Sequence, residues 1–465
     1  MSQLQPRTLS PAFSRACSSR SLMETKRMFD YKPTPEQLAL SEERRRQREA
    51  KKLQQQNAAH LPPMFLSRSW KSLPSTQTAP RSTIKVMSWN LLAQCLIRSN
   101  LFPTSSKALK TSHREPMIHA EILSHSADIM CMQEVDRLEK LSPVLEQAGY
   151  SSTYATGPGK QHGCLIAYKQ NKYNRVDELI IEYDKQEVRE DSSHPAARIG
   201  SSRITKNIGF MVALAEAGAD HQGVIVATTH LFWHPAFTYE RTRQAGILIR
   251  EVLNYRQSMK LDHWPYIIAG DFNFAPDDPA YSLLVGDPLT EAQSQRLHMS
   301  RVIHITIDPT VPPTTKKADD EEGDGSEADP DRVINNSRVA TSSDGLLSDL
   351  ELTSLFTNGA KLRSAYDEGQ RAQRDNGTLG DLYIFGDRVS SPPTRLGVHE
   401  PMWTSYTHYW KTTLDYIFFV DTPKHSITVA GYLNPHCTTD METGLPQIGI
   451  CGSDHVSLCA ELLLS

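Results

Sequence analysis

The chain alternates between short apolar runs, broken by Gly, Pro and Asn, and longer stretches with apolar residues three or four apart. Ile84-Lys85-Val86-Met87-Ser88-Trp89-Asn90 alternates in the manner of a strand. Ile267-Ile268-Ala269-Gly270-Asp271-Phe272-Asn273 is a continuous apolar run closed by Gly-Asp-x-Asn, which predicts a buried strand ending in a turn. From Ile84 onward strand and helix patterns alternate up to residue 465, so a single α/β domain is expected over 84–465.

Two regions break the pattern. Residues 1–22 carry Arg7, Arg15 and Arg20 among many serines and no Asp or Glu, the composition of a disordered basic tail or of a mitochondrial presequence. A charged stretch from Pro35 to Gln56, with Arg44-Arg45-Arg46 and Lys51-Lys52, reads as a solvated polar helix. Residues 1–80 are therefore expected to be a disordered or partly helical basic extension. The second break, at about 312–348, contains Asp319-Asp320-Glu321-Glu322-Gly323-Asp324 and few apolar residues, which predicts a disordered acidic insertion. Asn376 to Glu400 predicts a long loop. No internal repeat is visible, and in particular no leucine-rich repeat.

Composition narrows the class. With Lys+Arg 50 against Asp+Glu 54 the net charge is -4, so any nucleic-acid contact must come from a local patch. Seven scattered cysteines, with no Cys-x-x-Cys, fit reduced thiols inside a cell rather than a disulfide scaffold or a zinc site. No apolar run approaches the roughly 18 residues needed to span a bilayer. The expected compartment is cytoplasm or nucleus, with the mitochondrion left open by the Arg/Ser-rich start.

The candidate chemistry sits where apolar runs give way to polar residues. Met87-Ser88-Trp89-Asn90, Ile129-Met130-Cys131-Met132-Gln133-Glu134, Val226-Ala227-Thr228-Thr229-His230, Ile268-Ala269-Gly270-Asp271-Phe272-Asn273 and Leu414-Asp415-Tyr416-Ile417 are five such segments, and Gly452-Ser453-Asp454-His455 is a sixth. Glu134, Asp271, Asp415 and Asp454 supply the oxygen donors that Mg²⁺ prefers. Asn90 and Asn273 supply amides for a phosphate or an attacking water, and His230 and His455 can stabilise a phosphorane or assist a leaving oxygen. Singly, each has an ordinary structural explanation, such as a turn Asn, a helix-capping Glu or a surface Asp-His pair. Six together, each beside an apolar run, point to a site.

Ser88-Trp89-Asn90, Gln133-Glu134, Thr229-His230, Gly270-Asp271-Phe272-Asn273, Leu414-Asp415-Tyr416 and Ser453-Asp454-His455 resemble, in order, the motif set of the endonuclease/exonuclease/phosphatase superfamily. Within it the chain is similar to the Ccr4-type branch of 3′ exonucleases and deadenylases. Thr229-His230-Leu231-Phe232-Trp233-His234-Pro235, followed by Tyr239-Glu240-Arg241-Thr242-Arg243-Gln244, looks most like the fungal Ngl group of RNA exonucleases. The resemblance implies a DNase I-like four-layer α/β sandwich, with two mixed β-sheets face to face, helices outside and Mg²⁺ at one rim, Mn²⁺ being a substitute. It implies metal contacts for Glu134, Asn90 and Asp454, water activation for Asp271 with Asn273 beside it, a partnering acid in Asp415, a phosphate-facing His455, and a phosphate contact for His230. Pro235 and Trp410 match the positions that sandwich a base in poly(A)-specific members. Stacking of that kind is worth roughly 1–3 kcal/mol and accepts any base.

The reading this supports is a Mg²⁺-dependent 3′→5′ exoribonuclease acting on single-stranded RNA 3′ ends, poly(A) or precursor rRNA among them, and releasing nucleoside 5′-monophosphates. The alternatives are a nucleotide or dinucleotide phosphatase using the same metal site, a DNA-repair endonuclease, and a non-catalytic RNA-binding protein. Phe274-Ala275-Pro276-Asp277-Asp278 lacks the basic residues an inositol phosphatase would need. The net charge favours no duplex-gripping loops, and the retained acids and histidines argue against a dead site. Without a leucine-rich repeat, docking into a larger deadenylase complex is not expected, and the acidic insertion departs from the shared pattern.

Overall fold

The computed structural model describes residues 42, 43, 46, 64–74, 82–190, 195–219, 221–313, 334–357, 361–377 and 383–465. The chain divides at Pro62/Pro63 into two units. Of the first, only Glu42, Glu43 and Arg46 are described, helical and exposed. The Arg/Ser-rich start and the rest of the expected basic helix lie outside the described residues.

The second unit is built on two sheets. One runs in the order β1 (Trp70–Ser72), β16 (Ile427–Leu433), β17 (Leu458–Leu464), β2 (Ser82–Asn90), β3 (Ile129–Val135), β5 (Gly163–Lys169) and β4 (Tyr150–Thr156). The other runs β12 (Arg363–Ser364), β15 (Asp415–Val420), β9 (Tyr266–Asp271), β8 (Gly223–Thr229), β7 (Ile208–Glu216) and β6 (Tyr173–Glu182). Both are mixed, because β2 and β3 pair in parallel in the first and β8 and β9 in the second, while the other neighbours are antiparallel.

Alternation along the strands decides the layering, since successive side chains face opposite ways. Ile84 and Val86, Ile129 and Cys131, Val224 and Val226, Ile267 and Ala269, and Ile417 and Phe419 meet in one buried cluster between the sheets. Their neighbours of opposite parity face outward. Met87, Met130 and Met132 pack with Ile118 and Ile122 of the helix Thr111–Ser124 and Leu141 and Leu145 of the helix Leu138–Gln147. Ile225, Ile268 and Phe418 pack under the helix Thr238–Ser258. The result is the four-layer α/β sandwich that the motifs imply. Among the described residues no helix is long and apolar enough to cross a membrane, and the six cysteines described are unpaired.

Two boundaries need correction. The expected extension 1–80 runs too far: β1 joins the first sheet against β16, Phe65 is buried, and Arg68 ion-pairs with Glu121 at 3.0 Å. The expected disordered insertion at 312–348 is also too wide. There β11 (Ser337–Val339) pairs with β10 (Val302–His304), Arg338 bridges Asp308 and Asp344, and Leu347 enters the core under Tyr239, whose hydroxyl accepts its N–H at 2.7 Å. The Asp/Glu run itself lies outside the described residues. The remaining short hairpin pairs β13 (Ser405–Tyr406) with β14 (Lys411–Thr412). The loop expected at 376–400 is irregular where described, and it returns to buried positions at Ile384, Phe385 and Val398.

Candidate active site

Asn90, His230, Asp271 and Asp415 share the inward parity of the inter-sheet core, so the site begins where that core's apolar layer ends. Asn90 is the last residue of β2 and Asp271 the last of β9, while His230 follows β8 and bridges to Asp271. Asp415 and His455 differ from the other positions: they lie at or before the starts of β15 and β17. Antiparallel pairing brings them to the same rim, with Asp415 directly opposite Asp271 and β17 beside β2. A bridge from Ser405 holds His455 to the hairpin.

Glu134 arrives by another route. Strict alternation after Met130 and Met132 would send it to the outer face. The β3–β5 register shifts between Met132 and Val135, and Glu134 takes φ 56°, a left-handed conformation uncommon outside glycine. The bulge turns the carboxylate to the rim, while Gln133 stays inside and donates to Thr228 Oγ1 of the opposite sheet at 3.0 Å.

One amide ties the two sheets together. Asn90 Nδ2 donates to Glu134 Oε1 at 3.1 Å and to Asp271 Oδ2 at 2.9 Å, and Asn90 Oδ1 accepts the Leu92 N–H at 3.0 Å. The amide thereby spaces the two carboxylates, and its oxygen, which accepts one N–H, keeps a second lone pair. Glu134 Oε2 accepts the Ala93 N–H at 2.8 Å. His230 stands between the acids, Nδ1 3.9 Å from Glu134 Oε1 and Nε2 3.5 Å from Asp271 Oδ2. Asp271 Oδ1 accepts the Asn273 N–H at 2.9 Å, and Asn273 Nδ2 donates to Leu231 O at 3.0 Å. Asn273, with φ 54°, thereby closes the turn as well as standing beside the acid.

The second half of the site is a histidine–carboxylate pair. His455 Nδ1 lies 2.8 Å from Asp415 Oδ2, and its Nε2 lies 3.8 Å from Asp271 Oδ2. Thr404 Oγ1 donates to Asp415 Oδ2 at 2.6 Å and accepts from the Asp415 and Leu414 N–H groups. Asp415 Oδ1 is buried with no hydrogen-bond partner among the described residues.

The surroundings push these groups apart in acidity. Burial works to raise the Glu134 pKa, but His230, the Ala93 N–H and the Asn90 amide outweigh it and hold Glu134 below the usual range. Burial raises Asp271, helped by the Asp415 charge and only partly countered by His230 and His455. Burial also raises Asp454, with Glu134 adding to it and His455 and Arg114 opposing. Burial would lower His455, but Asp415 and Asp271 reverse that and carry it well above its ordinary value. His230 is lowered, by burial first.

Donor chemistry decides where a divalent cation fits. Asp271, Asp415 and His455 offer ligand atoms all within 4.8 Å of one another. Their closest contact is the Nδ1···Oδ2 hydrogen bond, however, and a hard ion such as Mg²⁺ prefers oxygen. Glu134 is a carboxylate held ionised at the solvent edge, its side chain 12% exposed, and its charge bears on the half-buried Asp454. Both are oxygen donors of the kind a hard cation prefers.

Pro235 is exposed in the turn after His230, its carbonyl accepting from Arg241 Nη2 at 2.7 Å. Trp410 is half-buried at the tip of the β13–β14 hairpin, fixed by Thr407, with Tyr409 beside it and 56% exposed. Trp233, 51% exposed, is a further surface aromatic near His230 that strand-end reasoning passed over. That reasoning also missed Thr404, Ala93, Asn207 and His162. Only His162 carried a signal, as a polar residue just ahead of the apolar run Gly163–Lys169. The run Glu240–Gln244 has a structural role: Glu240 accepts from Ser202 and Arg243, and Arg241 binds the His234 and Pro235 carbonyls.

Known proteins resemble the chain over nearly all of its folded length. Residues 87–455 match the Endonuclease/Exonuclease/phosphatase family. A probable RNA exonuclease of Schizosaccharomyces pombe is 30% identical over 92% of this chain and 88% of its own. The RNA exonuclease NGL2 of Saccharomyces cerevisiae is 28% identical over 93% of this chain and 89% of its own. Among solved structures, ANGEL2, described as a 2′,3′-cyclic phosphatase, shares the fold with a TM-score of 0.55 at 22% identity, over 86% of this chain and 99% of that one.

Proposed function

Because the chain belongs to the endonuclease/exonuclease/phosphatase family and is a hydrolytic nuclease of it, we propose that it is a metal-dependent 3′→5′ exoribonuclease. Its substrate on this reading is single-stranded RNA, poly(A) or precursor ends among them, and its products are nucleoside 5′-monophosphates. The observation that carries the reading is the juxtaposition of a carboxylate held ionised, Glu134, with an imidazole held protonated, His455, across the Asp271 carboxylate. Relatives over nearly the whole chain named as RNA exonucleases supply the substrate class.

Each residue then has a task. Glu134 and Asp454 hold the cation, Mg²⁺ by their oxygen chemistry, with Asn90 spacing Glu134 from Asp271. The bound cation supplies charge that stabilises the pentacovalent phosphate and its departing oxygen. Asp271, fixed by the Asn90 amide and the Asn273 N–H, orients water for in-line attack and accepts its proton, and the burial that raises its pKa makes it the better base. His455 Nε2, protonated through Asp415, faces the charge that develops on phosphate. His230 contacts the same phosphate from the β8 side. Pro235 and Trp410 bracket the terminal base.

Product analysis on 5′-labelled RNAs ending in A, U or mixed sequence tests the reading. A Mg²⁺-dependent ladder shortening from the 3′ end is expected, and Glu134→Gln should lower its rate by about two orders of magnitude or more. Intact RNA in a preparation that frees phosphate from small nucleotides would transfer the protein to the phosphatase reading, because this constellation fixes the attacked phosphate and not the leaving group.

A further inference from the structure

Behind His230, on the side away from Asp415, Lys160, His162, Lys206 and Asn207 line a shallow open recess whose lining includes no carboxylate. Two loops build it, the one leading into β5 and the one leading into β7. They are pressed together: a Cβ on Gly157 would lie 2.0 Å from the Lys206 carbonyl oxygen. Asn207 Nδ2 donates to the His230 carbonyl at 2.6 Å, and the His162 and His230 rings are 6.3 Å apart. His230 is thus the wall shared by the recess and the carboxylate cluster.

Neither lysine of the recess is held in a direct ion pair among the described residues. Asp184, the acid nearest Lys206 in the hydrogen-bond network, uses its oxygens on the Thr205 and Lys206 N–H groups and on Thr205 Oγ1. Burial draws both Lys160 and His162 below their ordinary pKa, outweighing the opposing pull of Cys164, Asp184 and Glu134 on Lys160 and of Glu134 on His162. Lys160 is half-buried and Lys206 exposed, and an anion set between two ammonium groups that no carboxylate contacts directly gains charge-assisted hydrogen bonds from both.

We propose that this recess is a second phosphate subsite, which takes the phosphate next to the one attacked at the Glu134–Asp271–His455 centre. Its assignment to RNA rests on the exoribonuclease reading, whereas the anion site stands on the recess alone. The phosphate could be the upstream phosphodiester of the chain or a terminal monophosphate on its 3′ end.

The test uses the full chain and a Lys160→Gln/Lys206→Asn variant, Asn being suited to the φ of 58° at position 206, with folding checked by Tm. First, inorganic phosphate is titrated in EDTA and followed by ³¹P line broadening. The variant is expected to bind it about tenfold more weakly. Second, the ratio of kcat/KM for a trinucleotide to that for a dinucleoside monophosphate should fall in the variant if the ligand is the upstream diester. If a terminal phosphate is the source, the variant instead loses discrimination between 3′-phosphate and 3′-hydroxyl ends. Unchanged phosphate affinity in the folded variant overturns the subsite. Lost phosphate binding in a protein that cuts no RNA keeps the subsite and removes the exoribonuclease reading.

Discussion

The Asp415–His455 contact sets the charge state on which the chemistry depends. A histidine whose pKa is raised in the folded protein stays protonated through neutral pH and loses its proton only as pH climbs through that raised value. Asp415→Asn removes the first of the charges that hold it up. The alkaline limb of the kcat profile should therefore move to lower pH, with the rate at its optimum reduced by roughly 10²–10⁴-fold. A limb that stays in place, measured from pH 5 to 10, would detach His455 from the proton chemistry. Much of the site could be read from parity alone. Asn90, His230, Asp271 and Asp415 continue the inward positions of Val86, Val226, Ala269 and Ile417, so polar residues there had to face the rim. Glu134 was legible as a candidate from its place at the end of an apolar run, but not in its orientation, because a bulge and a positive φ override the alternation. Thr404 had no signal, since a buried hydroxyl between a Trp and a Ser looks like any other.

At the scale of elements, the two parallel pairs carry the geometry. β8 and β9 run side by side to place His230 against Asp271, and Gly270 allows the approach: a Cβ there would meet the Thr229 carbonyl oxygen at 2.4 Å and its nitrogen at 3.0 Å. Gly270→Ala must push the strands apart at the rim. The expected cost is about 1–3 kcal/mol in urea unfolding, together with a fall in kcat larger than the change in KM, because the substrate's other contacts are untouched. Wild-type kcat in a destabilised variant would show that the His230–Asp271 spacing is not critical. The longer strands were legible because five or more residues of apolar or alternating pattern leave little choice of state. The pairs β10–β11 and β13–β14 were not, because two or three residues carry no periodicity and their pairing is decided by tertiary contacts such as Arg338 with Asp308 and Asp344.

For the whole molecule, the open question was where the folded unit begins, and the segment 64–74 decides it. Its charged and polar residues hide its role: Lys71 and Ser72 flank no apolar run, yet Trp70 packs under Lys85, with the ammonium 4.2 Å from the ring centroid, and the strand closes the edge of the first sheet. Arg68 matters most. It pairs with Glu121 at 3.0 Å with both side chains almost fully buried, and it also donates to the Ser457 carbonyl at 2.9 Å. Removing one partner of a buried pair leaves a charge without compensation, at a cost of about 3–5 kcal/mol. A chain begun at residue 82 should be less stable by about that much than one begun at residue 63, and Arg68→Ala should account for most of the loss. The pH dependence separates this cause from simple loss of the β1 strand. Burial already pushes the Glu121 pKa up, with Arg68 pulling against it. Without Arg68 the native state holds a proton on Glu121 that the unfolded chain releases above its ordinary pKa, so the variant's deficit must grow as pH rises from about 4.5 towards 8. Glu121→Gln in the Arg68→Ala background should then restore stability at pH 8 and change little at pH 4.5. If the deficit is flat with pH, the strand and not the ion pair holds the segment in place.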